Sequence, residues 1–256
     1  MTFVDALAWI FTASHWFGDP GRSTSPAIFQ RLIETLQLCG VSVLIACVIA
    51  VPLGILIGHS GRGRTAAILV SNVARALPTL GLLSILILLI AVNAVPVVVV
   101  LVILGIPPML AGVYAGFESV NRDTIDAARA TGFREWQIIT RIEIPLSAGL
   151  LVGGLRSTAL QIVATSTVAA YFLPIGLGAY LANGIASRDD VQLVAGAILV
   201  TALCLLVDGV LAIVQRLVAP RGSSRGATDS ATPKNRSRGV RRPTRGSHPI
   251  QEGMQS

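Results

Sequence analysis

The side chains that usually carry enzymatic chemistry are sparse in this sequence. Among its 256 residues, Lys234 is the only lysine, and no glycine-rich loop precedes it, so a Walker-type phosphate loop is not predicted. His15, His59 and His248 are scattered without the spacing of metal ligands. No nucleophile elbow or cysteine cluster occurs. We therefore expect no catalytic residue, no metal site and no cofactor, and a chain that is not itself an enzyme.

The longest polar stretch in the interior of the chain is the segment 118–147. Asn121 is placed to cap a helix whose first turn contains Asp123, because a short polar side chain can accept a hydrogen bond from a free N–H at a helix start. Gly132 suits the left-handed residue that ends such a helix. The segment is therefore predicted to contain a short helix with defined ends.

The charges and small residues of this helix favour binding to a partner. Asp126 and Arg129 can pair because they are three residues apart on a helix. The small side chains that keep the helix thin are Ala127, Ala128 and Ala130. A second short helix is expected from Phe133 to about Arg141, and Pro145 permits a sharp entry into the following apolar segment. We interpret the segment as a docking element for a soluble protein.

The order of residues in this segment resembles a known motif. Asp126-Ala127-Ala128, then three residues, Gly132, nine residues and Ile142-x-Ile144-Pro145 are similar to the EAA loop of ABC importer permeases, written EAA-x3-G-x9-I-x-L-P. Asp126 replaces Glu and Ile144 replaces Leu. The resemblance implies coupling to a cytoplasmic ATPase through Asp126, Ala127, Ala128, Arg129, Gly132, Ile142 and Pro145.

Other segments between about 36 and 217 resemble one branch of these permeases, which imports quaternary amines such as glycine betaine, carnitine and choline. These segments are 72–79, 106–110, 154–157 and 176–178. The resemblance implies a permease subunit working with a cytoplasmic ABC ATPase, a second permease (identical or paralogous) and a separate extracytoplasmic solute-binding protein. It also implies alternating access as the transport mechanism.

Polar residues within apolar segments are candidates for the translocation path. These are Asn72, Thr79, Thr165, Ser166 and Thr167. An equally good alternative is that the hydroxyl groups bond back to their own helix. Arg156 lies about two turns inside an apolar segment, where a cation is costly, so a partner is expected. Asp208 or a helix C-terminus can provide it, and we favour a structural ion pair over a substrate role.

The elements that must position these residues are membrane helices. Hydrophobic residues make up 53% of the chain and charged residues only 13%, with a mean hydropathy of +0.72, whereas soluble domains carry roughly 25% charged residues. Five apolar runs are predicted to span the bilayer: about 35–58, 66–92, 95–117, 148–172 and 191–218. The second and third contain prolines and are expected to be kinked and packed in a bundle. The apolar runs thus predict an all-α membrane protein, and the resemblance implies the type I ABC importer permease fold.

Orientation is predicted from the connections between spans. One side carries 16 Lys and Arg residues and the other side three. The positive-inside rule then places the N-terminus outside and the C-terminus in the cytoplasm of a multi-pass cell-membrane protein. We divide the chain into an extracytoplasmic or interfacial segment 1–31, with an amphipathic helix, a permease domain 32–219 with the loop 118–147, and a tail 220–256.

The tail contains most of the positive charge. Residues 221–256 carry a net charge of +6 and residues 1–220 only +1, so the basic composition does not indicate a nucleic-acid partner. The tail is rich in Gly, Ser, Pro and Arg and is predicted to be disordered. Attraction to anionic membrane lipid and a solubilising extension without a specific role both remain open, and we favour the second.

Two alternative functions remain open at this point. A permease of the same kind could carry another small solute, such as an amino acid. A secondary transporter or channel could work without ATP, but Asp208 is the only carboxylate deep in a predicted span, whereas ion-coupled transport usually relies on such groups.

Overall fold

Helices form all the regular secondary structure in the residues described by the computed structural model, which are 2–17, 27–61, 65, 69, 72, 73 and 76–219. The predicted tail 220–256 lies outside the described residues, as does most of the stretch 62–75. The helices are α1 (Thr2–Phe11), α2 (Ala13–Phe17), α3 (Ile28–Ser60), α4 (Thr79–Leu89), α5 (Ala94–Glu118), α6 (Arg122–Ala130), α7 (Glu135–Ile138), α8 (Ile144–Ala169), α9 (Gly178–Ser187) and α10 (Asp190–Val218). A π-helical turn, Ile139–Glu143, joins α7 to α8.

Four helical segments among the described residues are long and apolar enough to cross a membrane. They are Ile28–Ser60, Ala94–Glu118, Glu135–Ala169 and Asp190–Val218. The predicted third and fifth spans match their helices to within one residue at each end, and the predicted first span lies within Ile28–Ser60, which begins seven residues earlier. Glu135–Ala169 contains all but the last three residues of the predicted fourth span. The predicted second span, 66–92, is represented by α4, which has 11 residues and at about 1.5 Å per residue is too short to cross alone. The first half of that span lies mostly outside the described residues.

Local sequence signals set several helix ends. Gly61 ends α3 with a φ of 67°, a left-handed conformation that glycine adopts without steric cost. The side chain of Asn93 accepts a hydrogen bond of 2.9 Å from the amide of Val95 at the start of α5. Asp189 accepts bonds from two amides at the start of α10. These are ordinary N-cap interactions.

α5 is the central helix, packed between α3 and α8. Its two internal prolines, Pro107 and Pro108, were predicted to lie inside a bundle, and they lie within a continuous helix in which more than half of the residues are buried. Close approach depends on small residues: a Cβ on Gly54 would lie 2.7 Å from Val113, and one on Gly58 would lie 2.5 Å from Phe117. The small-residue spacing therefore serves helix packing, as expected in membranes.

The N-terminal helix α1 packs on the beginning of α10. Ala6 and Ile10 are buried and form a small cluster with Ala195. Phe3 and Phe11 remain exposed on the other side of α1. Apolar residues thus lie on two sides of α1, one of which packs against the chain itself; the location of this helix at the membrane interface stays a prediction.

Candidate functional site

The polar segment 118–147 forms a short helix with the predicted ends. The side chain of Asn121 accepts a hydrogen bond of 2.9 Å from the amide of Asp123, which fixes the start of α6. Gly132 has a φ of 90°, and the amide of Phe133 donates to the carbonyl of Ala128 across this turn. The chain therefore reverses directly after α6.

The alanines of α6 do not share one face, which corrects the expectation of a uniformly thin docking surface. Ala128 is only 8% exposed and packs with Val120, Ile125 and Ile138. Ala127 is exposed. The inner side of α6 is thus occupied by the segment's own apolar cluster, and only the outer side, including Ala127, is free to meet a partner.

Charged residues on α6 and α7 are joined by Arg129. Its Nη1 lies 3.0 Å from Oδ1 of Asp126, and its Nε lies 2.9 Å from Oε1 of Glu135. The hydrogen bond to Glu135 raises the pKa of the Arg129 guanidinium above its ordinary value, because the carboxylate favours the charged form. Arg129 therefore links α6 to α7, while Asp126 is 70% exposed.

The second short helix does not stop before the membrane segment, contrary to the sharp entry predicted at Pro145. α7 continues through the π-helical turn into α8, with the amide of Ile144 donating to the carbonyl of Ile139. Pro145 is the second residue of α8, two residues after the end of the π-helical turn. Pro145 is exposed and Ile142 is half-buried against the apolar cluster that holds Ala128.

His59 is a polar residue at this junction that the sequence analysis did not assign. Its Nδ1 lies 2.6 Å from Oε2 of the buried Glu143, and its Nε2 lies 3.0 Å from Oε2 of Glu135. The only sequence signal was a glutamate within the Ile142-x-Ile144 spacing, next to the end of a span. Histidine and glutamate are 84 residues apart, so their contact could not be read from local spacing.

One of the predicted path residues, Thr79, lines a cavity of about 380 Å³ between α4, α5 and α8. The other described residues around it are Leu77, Leu104, Pro108, Ser157 and Gln161. The described walls thus combine apolar groups with neutral hydroxyl and amide groups and present no charge. Ser157 and Gln161 were missed, although their spacing of four residues places them on one face of a helix.

The other path candidates are not among the residues around this cavity. The hydroxyls of Thr165, Ser166 and Thr167 each donate to a carbonyl of their own helix at 2.7–2.8 Å, which is the alternative considered for them. Thr165 also accepts a bond from Gln161. Asn72 is exposed. The polar stripe of α8 that meets the cavity is therefore Ser157 and Gln161.

Arg156 is paired within the bundle. Its Nε and Nη2 lie 2.5 and 2.7 Å from the two carboxylate oxygens of Asp208 on α10. This two-point contact is the strongest geometry for a guanidinium and a carboxylate. It neutralises the one cation in the apolar part of α8, one residue away from Ser157.

Comparisons with known proteins agree with this arrangement. The family described as "Binding-protein-dependent transport system inner membrane component" matches residues 50–221. The chain is similar to the glycine betaine/carnitine/choline transport system permease protein OpuCB of Bacillus subtilis, with 31% identity over 74% of this chain and 87% of the relative. It is also similar to the carnitine transport permease protein OpuCB of Listeria monocytogenes, with 31% identity over 80% of this chain and 93% of the relative.

A solved structure shares the fold. The inward-facing MetNI methionine ABC transporter has a chain that matches with a TM-score of 0.66 at 22% identity, covering 75% of this chain and 96% of that chain. At this identity the likeness concerns the arrangement of helices alone.

Proposed function

The chain belongs to the family of inner membrane components of binding-protein-dependent transport systems, and from this premise we propose that it carries quaternary ammonium solutes across the membrane. The resemblance inferred from the Asp126–Pro145 motif is thereby confirmed at the level of the family. The chain is a multi-pass protein of the cell membrane and a permease subunit of an ABC transporter.

The observation that carries the substrate proposal is the similarity to permeases named for glycine betaine, carnitine and choline over about three quarters of the chain. The cavity beside α8 supports it. A quaternary ammonium group has no N–H to donate, so it needs no strong acceptor, and a path with neutral walls would not hold it tightly. The described lining of Thr79, Ser157 and Gln161, with Arg156 neutralised by Asp208, has this character.

The partners follow from the mechanism we propose. A cytoplasmic ABC ATPase contacts the outer side of α6, a second permease subunit completes the passage, and an extracytoplasmic binding protein delivers the solute. Closure of the ATPase pair moves α6, and the attached membrane helices rock to open the passage to alternate sides. The basic loops beside α6 favour its cytoplasmic location, with the N-terminus outside.

The path residues proposed for this mechanism are Thr79, Ser157 and Gln161. Asn72, Thr165, Ser166 and Thr167 remain candidates only in a state that differs from this one. The residues proposed for ATPase coupling are those of the motif, with Asp126 and Ala127 on the outer side of α6 and Ala128 and Ile142 supporting it from within.

The test is solute uptake into proteoliposomes that contain this permease with its ATPase and binding protein. Labelled glycine betaine, choline, carnitine and methionine are compared, with ATP on the side of the ATPase or absent. We expect ATP-dependent uptake of at least one quaternary amine and none of methionine. Uptake of methionine alone would overturn the substrate class, and uptake that does not require ATP would favour a secondary transporter.

A further inference from the structure

His59 joins three elements at the end of the bundle that holds α6. The residue lies at the end of α3, directly before Ser60, and its ring is between a carboxylate of α7 and one of the π-helical turn. The Nε2–Oε2 distance to Glu135 is 3.0 Å and the Nδ1–Oε2 distance to Glu143 is 2.6 Å. Both ring nitrogens are thus within hydrogen-bonding distance of a carboxylate.

Two contacts of this kind require two protons. A neutral imidazole carries one N–H and accepts at its other nitrogen, so it can donate to only one carboxylate. The cluster must therefore contain an imidazolium, or a neutral ring with one protonated carboxyl group. In the first state both contacts are charge-assisted, and in the second state the N–H contact to the remaining carboxylate is, so the bridge is stronger than a single neutral hydrogen bond.

The bridge continues to the exposed surface of α6. Glu135, which receives Nε2 of His59, also binds the guanidinium of Arg129, and Arg129 binds Asp126. Acidic and basic side chains alternate along this series from Asp126 to Glu143. Two successive polar contacts thus link α6 to the end of α3: Arg129 to Glu135, and Glu135 to His59.

α3 is suited to carry such a displacement because it is one helix of 33 residues, about 50 Å long. Near its other end, Glu34 accepts a hydrogen bond of 2.9 Å from the amide of Gly176, and Thr35 accepts one of 2.9 Å from the amide of Leu177. Arg31 donates to the carbonyl of Pro174. The far end of α3 thus holds the connection between α8 and α9.

Burial of the Glu143 side chain at this position is energetically unfavourable. Its side chain is fully buried, and among the described residues its Oε1 has no hydrogen-bond partner. An apolar residue of similar size would avoid the desolvation penalty and pack equally well. Packing alone therefore does not account for a glutamate here, whereas a bridge to His59 does.

We propose that His59 is a positioning residue that ties α3 to α6, so that α3 moves with the docking helix and carries the motion to the connection 173–177 on the opposite side. This inference rests on the proposed permease function. His59 contacts neither the solute nor the ATPase in this account, and it acts through Glu143 and Glu135.

The decisive variant is the double substitution His59→Leu/Glu143→Leu. Replacing both partners by apolar groups avoids a buried unpaired charge, so the chain is expected to fold and insert. In proteoliposomes with the ATPase and binding protein, we measure solute uptake and ATP hydrolysis together. The expected result is basal hydrolysis, measured without the binding protein, within about twofold of the wild type, and solute transported per ATP with the binding protein lowered at least about fivefold.

The conservative variant Glu143→Gln separates the bridge from the charge. The side-chain amide that this substitution introduces can donate to Nδ1 of a neutral His59 while Nε2–H donates to Glu135, so both contacts survive with one proton fewer on the ring. We expect transport per ATP to stay within twofold of the wild type. The matched control is His15→Gln, because His15 stacks on Trp9 in the N-terminal segment, far along the chain from α6.

The results distinguish this inference from the proposed function. Wild-type transport per ATP in the double leucine variant, or a loss in Glu143→Gln as large as in the double variant, would overturn the bridge and leave the permease function standing. If the wild type transports no quaternary amine, the substrate proposal fails. The bridge is then tested by stimulation of hydrolysis by the binding protein, which should be present in the wild type and lost in the double variant, and equal stimulation in both would overturn it.

Discussion

Gly112 of α5 and Gly154 of α8 meet so closely that a Cβ on Gly112 would lie 2.3 Å from the Cα of Gly154. Backbone therefore packs on backbone at the centre of the bundle. This contact sets the distance between α5 and α8, two of the helices around the cavity that Gln161 lines. Gly154 lies about one helical turn before Ser157, which lines the same cavity. The position of the proposed path thus depends on two residues without side chains.

Gly112→Ala should separate α5 from α8, because the obstructing atoms are backbone and cannot rotate away. Overpacking of this kind costs about 1–3 kcal/mol, and we expect a melting temperature several degrees lower for the purified protein. Gly40→Ala is the matched control, since a Cβ at Gly40 meets nothing within 4 Å. An equal or higher melting temperature for Gly112→Ala would show that the close contact is absent in solution.

Gly132→Val tests the turn after α6 by conformation alone. Nothing lies within 4 Å of a Cβ at Gly132, yet its φ is 90°, so the cost of about 1–2 kcal/mol arises from the left-handed backbone. We expect normal membrane levels and reduced copurification of the ATPase. Gly132→Asn serves as control because asparagine tolerates positive φ better, and it should retain more ATPase than the valine variant.

Neighbouring alanines on α6 should respond differently to the same substitution. Ala128→Glu places a charge in the apolar cluster with Ile125 and Ile138, so it should lower the stability of the permease itself. Ala127→Glu alters only the exposed side and should weaken ATPase binding at unchanged stability. Thermal unfolding and copurification are measured for both variants. Identical behaviour would contradict the two-sided description of the helix.

Arg156 and Asp208 should tolerate substitution by apolar residues only when both are replaced together. Arg156→Leu leaves a carboxylate unpaired between α8 and α10, so the amount of protein in the membrane should fall several-fold. The double variant Arg156→Leu/Asp208→Leu removes both charges and should recover much of that loss. Quantitative immunoblotting of membranes checks this. A double variant as poor as the single one would indicate that Arg156 has another essential partner.

Local features of this chain could be predicted from the sequence, whereas the contacts between its helices could not. The Asn121 cap, the turn at Gly132 and the bounds of α5 and α10 depend on residues close in sequence, so propensity and hydropathy were sufficient. Whether Ala128 is buried or exposed depends on how the segment 118–147 packs on itself. The spacing of its alanines and charged residues does not contain that information. The contact of His59 with Glu143 depends on the relative height of α3 and α8, which no single helix pattern specifies.

The central claim is that the outer side of α6 contacts the ATPase and that this side of the membrane is the cytoplasm. Site-specific cross-linking tests it directly: Ala127→Cys is introduced into a chain whose Cys39, Cys47 and Cys204 are replaced by alanine. Membranes with the coexpressed ATPase are labelled with a thiol-reactive photo-cross-linker, whose photoactivated end inserts into C–H bonds and needs no cysteine on the ATPase. Ser187→Cys, at the exposed end of α9, is the control for the opposite side.

The account predicts a permease–ATPase cross-link from position 127 whose yield changes when ATP is added, and no cross-link from position 187. An absent cross-link at 127 with the ATPase present in the complex, or an equal cross-link at 187, would contradict the account.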